Sequence, residues 1–346
     1  MQVAIRTDAS QAIGTGHVMR CLALAGLLRE RGAVVRFLCR DEPGNLCDYV
    51  ASRGFEVRRL AAATELDWQL DFQQSRLGLG APGASLDLLV VDHYALDERW
   101  ERSLRPFARR IFVFDDLADR RHDCDLLLDQ NLRDHPESRY AGLVPAGARV
   151  FVGPEYALLR PEFNSLAPRT RNQGLRRLFV YLGGGDSRHA LLSVVEGLHL
   201  LGSVAPITTL VLGAANPDAE EVRAAARAVA QLTVLDTTHE MARLIDEADL
   251  GIGTCGIAAW ERCLLGLPAL LVVTADNQRD DARALHALGA ARNLGEAGAV
   301  TGGKWAQALE ALLRDPETLQ SMSQAAAAVM ARRQVAMREL EAALVH

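Results

Sequence analysis

A histidine that follows a glycine-containing loop is the first candidate for chemistry in this chain. Residues 3–6 are predicted to form a short strand, the loop after them contains Gly14 and Gly16, and His17 begins a helical run. Glycines let a backbone approach a ligand closely, and a helix N-terminus presents N–H groups to negative charge. The pattern predicts a ligand site with a titratable group beside it. A tight turn with a histidine that caps its own helix is the alternative.

Two further groups of polar residues come directly after predicted buried strands. Asp92 and Tyr94 follow the apolar run 86–91, where a helix cap with packing is the alternative to a ligand site. Asp115 and Asp116 follow the strand predicted over 110–114. Adjacent side chains of an extended chain point to opposite faces, so these two carboxylates are not expected to act as one acid/base pair. Asp116 is predicted to cap a helix or turn.

The block with the most candidate residues begins after the strand predicted over 250–253. Thr254 and Gly256 lie in a loop of small residues that meets a helix N-terminus, an arrangement suited to a diphosphate. Glu261 falls about one turn into that helix, where its carboxylate can accept hydrogen bonds from two ribose hydroxyls. Asn277 and Gln278 follow the next predicted strand, and we expect them to reach the same ligand.

Both halves of the chain alternate predicted strands with predicted helices. Strands are expected over 34–38, 86–91, 110–114, 125–128 and 148–152 after the first one, and over 178–182, 208–212, 232–235, 250–253 and 269–273. Helices are predicted to fill the chain after residue 273, with an alanine-rich pair over 316–344. This alternation indicates parallel sheets with helices on both faces, which bind ligands beyond the carboxyl ends of the strands. The predicted fold class is α/β, with two Rossmann-like, doubly wound parallel-sheet domains facing a central cleft.

A shift in composition separates the two halves. Residues 153–174 contain Pro154, Pro161 and Pro168 among polar and basic residues, which is typical of a linker. The predicted segments are an N-terminal domain over 1–153, a linker over 154–175, a C-terminal domain over 176–325 and a final helix over 326–346.

Composition excludes several classes of function. The chain has 346 residues, 49% hydrophobic and 24% charged, as in globular proteins with large cores. A net charge of −6 argues against non-specific nucleic-acid binding, and no apolar run is long enough to span a bilayer. The first residues do not have the pattern of a signal peptide. Six cysteines without a C-x-x-C pair predict reduced thiols in the cytoplasm, and no close ligand pattern such as H-x-x-x-H predicts a metal.

Taken together, the motifs resemble a known family. The block from Gly253 to Gln278, with its Gly266-Leu267-Pro268 turn, resembles the nucleotide-binding half of GT-B proteins of the MurG type. The segments 6–10 and 13–17, together with Arg20, resemble the N-terminal motif of the PseG/SpsG family. Five further segments match the order of motifs in that family: 92–94, 114–116, 124–131, 153–163 and 183–186. The resemblance covers the chain to about residue 295 and leaves out the alanine-rich tail.

The family hydrolyses UDP-2,4-diacetamido-2,4,6-trideoxy-β-L-altropyranose in pseudaminic acid biosynthesis. The resemblance therefore implies a hydrolase that acts on a UDP-sugar. Attack by water on the face opposite UDP would invert the anomeric carbon, and neither a cofactor nor a divalent metal is expected. The resemblance also implies that His17 is the general base and that Tyr94 lies near it on the sugar side. The substrate-binding residues predicted in all are Asp8, Gly14, Gly16, Arg20, Asp92, Tyr94, Gly184, Gly185, Thr254, Gly256, Glu261, Asn277 and Gln278.

The chemistry is consistent with a single histidine. A nucleoside diphosphate is a good leaving group, so hydrolysis needs an activated water and not the two carboxylates of most glycosidases. The dipole at a helix N-terminus disfavours the imidazolium, so His17 is expected to be neutral and able to accept a proton. A GT-B glycosyltransferase with a UDP-sugar donor is the alternative enzyme, and it would need an acceptor surface. A protein that only binds nucleotide sugars would have no need of His17.

Overall fold

Two parallel sheets, one in each half of the chain, organise the computed structural model of this protein. The structure describes residues 1–10, 13–63, 67–80, 86–163, 165–183, 189–213 and 216–345. One compact unit comprises Met1–Pro161 and Val335–His346, and the other comprises Glu162–Gln334. All strand pairings in the seven-stranded and the six-stranded sheet are parallel. The predicted α/β class with two wound sheets is confirmed.

The sheet of the first unit reverses its strand order next to its first strand. The strands are β1 (Gln2–Thr7), β2 (Val34–Arg40), β3 (Glu56–Leu60), β4 (Leu86–Asp92), β5 (Ala108–Phe114), β6 (Leu126–Asp129) and β7 (Arg149–Val152). Their order is β3-β2-β1-β4-β5-β6-β7, so β1 and β4 lie side by side where the winding changes direction. A crevice forms at the carboxyl ends of two such strands, because their connections leave to opposite sides. The helices are α1 (Gly16–Glu30), α2 (Cys47–Ser52), α3 (Trp68–Leu79) and α4 (Glu98–Leu104).

The sheet of the second unit has the same kind of reversal. Its strands are β8 (Arg177–Tyr181), β9 (Ile207–Val211), β10 (Leu232–Leu235), β11 (Leu250–Gly253), β12 (Ala269–Val273) and β13 (Ala291–Glu296), in the order β10-β9-β8-β11-β12-β13. The reversal falls between β8 and β11. The helices are α5 (Ala190–Leu201), α6 (Ala219–Ala226), α7 (Met241–Glu247), α8 (Ile257–Leu264), α9 (Arg279–Ala287), α10 (Gly302–Leu313) and α11 (Pro316–Val329).

Strand β13 contradicts the prediction that only helices follow residue 273. It contains Arg292, Asn293 and Gly295, so it lacks the apolar run that marks a buried strand. It lies at the edge of the sheet, paired only with β12, and most of its residues are half-buried. An edge strand needs fewer apolar side chains, so its sequence pattern is weak.

Strand β4 shows how the predicted apolar runs form the core of the first unit. Leu88 and Val90 pack on one face with residues of α1, whereas Leu89 and Val91 pack on the other face with Trp100. All four β4 side chains are buried, because helices cover the sheet on both faces. No helix among the described residues is long and apolar enough to cross a membrane. All six cysteines are free thiols, and all are buried.

The last helix, α12 (Arg333–Val345), packs against the first unit. Leu340 and Leu344 are fully buried in the core that contains β1 and α1. The Arg110 guanidinium on β5 donates to the carbonyl oxygen of Ala343 at 2.9 Å. The chain therefore leaves the first unit after residue 161 and returns to it at residue 335.

We expect Leu340→Ala to destabilise the first unit by about 2–5 kcal/mol, because it removes buried methyl groups and leaves a cavity. Val335→Ala on the same helix is the matched control, since Val335 is 53% exposed. Urea unfolding of both variants measures the difference. Equal stability of the two variants would show that α12 does not contribute to this core.

Candidate functional site

The loop between β1 and α1 brings His17 to the carboxyl end of the first sheet. Gly14 in this loop has a φ of +75°, a backbone conformation that favours glycine, and its N–H donates to the Ser10 carbonyl at 2.9 Å. Gly16 begins α1 and is exposed, and His17 is the second residue of the helix. The predicted position of the histidine at the start of a helix is confirmed.

The imidazole of His17 is bound to the carboxylate of Asp92. His17 Nδ1 lies 2.6 Å from Asp92 Oδ1, and Asp92 is buried at the end of β4. Burial opposes ionisation of Asp92, but the charges and hydrogen bonds of Arg20 and His17 outweigh it and hold its pKa well below the usual range. Arg20 Nη2 also lies 3.1 Å from His17 Nδ1. An ionised carboxylate only accepts hydrogen bonds, so the shorter contact with Asp92 requires the proton on Nδ1, and in the neutral imidazole Nε2 then has the free lone pair. Asp92 therefore fixes the tautomer in which Nε2 is a base.

Arg20 connects two carboxylates behind the histidine. Its Nε and Nη2 donate to Asp92 at 2.6 Å each, and its Nη1 donates to both oxygens of Asp116 at 2.9 Å. Tyr94 donates from its hydroxyl to Asp116 at 2.9 Å, and its ring packs edge-to-face against His17 with centroids 4.6 Å apart. We call His17, Arg20, Asp92, Tyr94 and Asp116 the histidine network. Because each member is bound to another, the orientation of the imidazole is fixed from two sides.

The two adjacent aspartates after β5 point to different partners, as predicted. Asp115 accepts from the Ala118 N–H and from Arg120, both at 2.7 Å. The prediction that Asp116 caps a turn is wrong, since its oxygens accept from Arg20, Tyr94 and Asn131. The signal that could have identified Asp116 is its position two residues after the end of β5, the strand beside β4.

Asp8 and Arg20 were predicted to bind substrate, and the structure shows them holding other side chains. Asp8 is 2% exposed and accepts from Arg6 at 2.6 and 2.7 Å and from the Arg40 N–H at 2.7 Å. Both oxygens of Asp8 are thus occupied within the protein, where they fix the end of β1, and its contact with a substrate stays a prediction. Arg20 is also buried, and its described contacts hold the histidine network together.

A second histidine at this edge differs from His17. His93 Nδ1 accepts from the Ala95 N–H at 3.0 Å, and Nε2 lies 3.4 Å from Asp8 Oδ2. Burial lowers the pKa of His93 despite the neighbouring carboxylate. Both ring nitrogens are engaged, so His93 offers no lone pair to a water.

The second unit presents the other predicted residues at the carboxyl ends of β11 and β12. Thr254 follows β11 and is buried, whereas Gly256 is exposed and precedes α8, with no described side chain capping the helix. Asn277 is exposed after β12, and Gln278 Oε1 accepts from the Thr274 N–H at 3.0 Å. Gly184 and Gly185 lie outside the described residues.

Glu261 is buried inside the second unit. Its exposed fraction is 0%, so contact with a ribose stays a prediction. The neighbouring Arg262, which the sequence did not single out, is also buried and donates to the Thr254 carbonyl at 2.7 Å. In the described part of the chain, no group of three or more His, Cys, Asp or Glu side chains could hold a metal ion.

A buried charged cluster lies beside the histidine network in the first unit. His122 Nδ1 is 2.7 Å from Glu101, and its Nε2 is 3.7 Å from Asp115. Burial disfavours the imidazolium, but the two carboxylates outweigh this and raise the pKa of His122 to about 9. Because Asp115 precedes Asp116 in the chain, this cluster supports the backbone next to the network.

Comparison with known proteins identifies relatives of this chain. Residues 189–338 match the glycosyltransferase family 28 C-terminal domain. The chain is 27% identical over 250 residues to the UDP-2,4-diacetamido-2,4,6-trideoxy-beta-L-altropyranose hydrolase of Campylobacter jejuni, covering 72% of this chain and 83% of the relative. It is 24% identical over 303 residues to the spore coat polysaccharide biosynthesis protein SpsG of Bacillus subtilis, covering 85% and 84%.

A solved structure agrees with the fold assignment. The structure of MurG from Acinetobacter baumannii aligns with a TM-score of 0.63 at 15% identity and covers 98% of each chain. At this identity the likeness concerns the fold alone. Together with the two parallel sheets, it confirms the predicted GT-B fold.

We expect the stability of the protein to fall as pH rises from about 6.5 to 9, because the raised pKa of His122 stabilises the folded state fully only below the unfolded value. The loss should reach up to about 3 kcal/mol, and His122→Gln should remove this part of the pH dependence. Unfolding curves at several pH values measure both. The same pH dependence in the variant would contradict the assignment.

Proposed function

We propose that this chain, whose motifs resemble those of the PseG/SpsG family, hydrolyses a UDP-linked 2,4-diacetamido-2,4,6-trideoxy sugar. The products are UDP and the free sugar, a step in pseudaminic acid biosynthesis in the cytoplasm. The relative from Campylobacter jejuni carries this activity in its name, and its alignment covers most of both chains. The coarser conclusion, an enzyme that acts on a nucleotide sugar, is also supported by the C-terminal domain match.

The observation that carries the proposal is the bond between His17 Nδ1 and Asp92. In the proposed reaction, Nε2 takes a proton from a water as the water oxygen attacks the anomeric carbon. The bond from that carbon to the diphosphate oxygen breaks, and UDP leaves with the electron pair. Attack on the face opposite UDP inverts the anomeric carbon. The Asp92 carboxylate stabilises the imidazolium that forms, as an aspartate does beside other catalytic histidines.

The second unit is proposed to bind UDP. The exposed Gly256 at the N-terminus of α8 offers backbone N–H groups to the diphosphate. Asn277 and Gln278 follow the neighbouring strand and are proposed to bind the nucleotide with Thr254. Glu261 is proposed to bind the ribose hydroxyls. No metal is included in this scheme, because the helix dipole and N–H groups can stabilise the leaving diphosphate.

A GT-B glycosyltransferase is the second candidate. The match of residues 189–338 to the glycosyltransferase family 28 domain favours it, since that domain occurs in enzymes that transfer sugars. In such an enzyme the histidine would deprotonate an acceptor hydroxyl instead of a water. The two candidates differ in what replaces UDP at the anomeric carbon.

The test is incubation with the UDP-2,4-diacetamido sugar in ¹⁸O-water without any acceptor. We expect UDP to appear at a steady rate and the label to appear in the free sugar, because water is proposed to attack carbon. Release of UDP only after an acceptor is added would favour the transferase. Label in UDP would mean attack at phosphorus and would contradict the mechanism.

We expect His17→Asn to lower kcat by a factor on the order of 10²–10⁴, because it removes the base. Asp92→Asn should also lower kcat, with a smaller effect on KM. The amide N–H of asparagine can donate to Nδ1, which places the imidazole proton on Nε2 and removes the lone pair that would accept a proton from water. His93→Gln is the control, since His93 lies at the same edge with both nitrogens engaged, and it should retain most of the activity. Wild-type turnover by His17→Asn would disprove the assignment of the base.

A further inference from the structure

Arg262 lies under the loop that precedes α8. It is 1% exposed, and its Nη2 donates to the Thr254 carbonyl oxygen at 2.7 Å. A helix side chain points toward the N-terminus of its helix, which brings a guanidinium from the sixth position of α8 back to this loop. The guanidinium is therefore at the end of α8 where the backbone N–H groups are.

Two glycines of β11 make room for this side chain. A Cβ on Gly251 would lie 2.8 Å from Arg262 Cδ, and a Cβ on Gly253 would lie 2.8 Å from Cζ and closer still to Nη1. Both distances are too short for any real side chain. The glycines are two positions apart and share one face of the strand, so the arginine lies flat along it. The Gly-Ile-Gly sequence at the end of β11 is explained by this contact.

The charge of Arg262 is not balanced within the described part of the second unit. No carboxylate oxygen there lies within 4.0 Å of the guanidinium, and Nη1 is buried without a hydrogen-bond partner. Burial lowers the pKa of Arg262, although nearby Cys255, Cys263 and Glu261 oppose this. A buried cation with an unpaired N–H costs free energy unless a negative charge comes near it.

The hydrogen bond from Arg262 to the Thr254 carbonyl also fixes the orientation of the peptide group between Thr254 and Cys255. In a trans peptide the C=O and the following N–H point in opposite directions. Because the Thr254 carbonyl points at the buried guanidinium, the N–H of Cys255 points away from it. The loop thus presents this donor on the side opposite Arg262, beside the exposed N-terminus of α8.

We propose that Arg262 is a positioning residue for diphosphate binding, which holds the loop 254–256 by its carbonyl and supplies the positive charge beneath it. This inference rests on the proposed binding of UDP by the second unit. It assigns a reason for the buried arginine that packing alone does not supply, since an apolar side chain would fill the same slot without an unpaired N–H. The bound diphosphate is the negative charge that balances Arg262.

The test is the Kd for UDP, measured by calorimetry, of wild type, Arg262→Met and Arg262→Lys. We expect the methionine variant to bind UDP about tenfold more weakly or worse, and the lysine variant to recover part of the affinity, because it retains the charge. Arg171→Met is the matched control. Arg171 is equally buried in this unit, and its guanidinium donates, among the described residues, only to backbone carbonyls, including that of Ala248 after α7 and that of Leu265 at the C-terminal end of α8.

The outcomes separate the two proposals. The role of Arg262 would be overturned if Arg262→Met bound UDP as tightly as wild type. It would also be overturned if Arg171→Met lost as much affinity for UDP, or if Arg262→Lys recovered none. Wild type that does not bind UDP would overturn the proposed function itself. If Arg262→Met does not fold, Gly253→Ala tests the same point, because its Cβ would displace the guanidinium while the arginine is retained. Gly253→Ala should then weaken UDP binding, and wild-type affinity in that variant would overturn the inference.

Discussion

The carboxylate of Asp92 binds both the histidine and the arginine on which the site of the first unit depends. It is buried at the end of β4, where it accepts from His17 and twice from Arg20. A buried carboxylate is stable only when such partners compensate its lost hydration. Removal of either partner would leave charge uncompensated, so the side chains that satisfy Asp92 are held in one geometry. The orientation of the proposed base is a consequence of this requirement.

Parallel sheet topology brings these residues together in both units. The order reverses between β1 and β4 in the first sheet and between β8 and β11 in the second. In each case, loops from two adjacent strands end at the same edge, and a helix starts there with its N-terminus toward the edge. The two sheets thus share one topology but differ in the residues at this edge. A histidine lies at the start of α1, and a loop of small residues precedes α8.

Buried arginines in the two units have different hydrogen-bond partners. In the first unit, Arg6 and Arg20 are each bound to two carboxylates, and these pairs hold the strand ends together. In the second, Arg262 is bound to a carbonyl and has an unpaired N–H. Paired charges stabilise a fixed arrangement, whereas an unbalanced one favours binding of an anion. Arg40 in the first unit also has a buried Nε without a described partner, but its guanidinium is bound to Asp71. The difference that supports the proposed anion site is therefore the missing carboxylate beside Arg262.

The sequence by itself determined the elements, because their signals are local. Apolar runs such as β4 predict buried parallel strands, and Gly266 with a φ of +63° ends α8 as the turn pattern indicates. The position of His17 at the start of α1 follows from the same local pattern. The resemblance to the PseG/SpsG family and the GT-B fold were also evident from motifs whose order is visible in the chain.

Only the tertiary structure decided which side chains meet. Asp92 is 75 residues from His17, and Asp116 is 96 residues from Arg20. Strand order and register bring these residues together, and neither can be predicted from the spacing of apolar residues along one segment. The same holds for α12, whose Leu340 packs with the first unit after the chain has passed through the second. The space that Arg262 occupies also depends on how α8 packs on β11. The sequence shows Gly251 and Gly253, but only the packing shows that the Arg262 side chain lies against them.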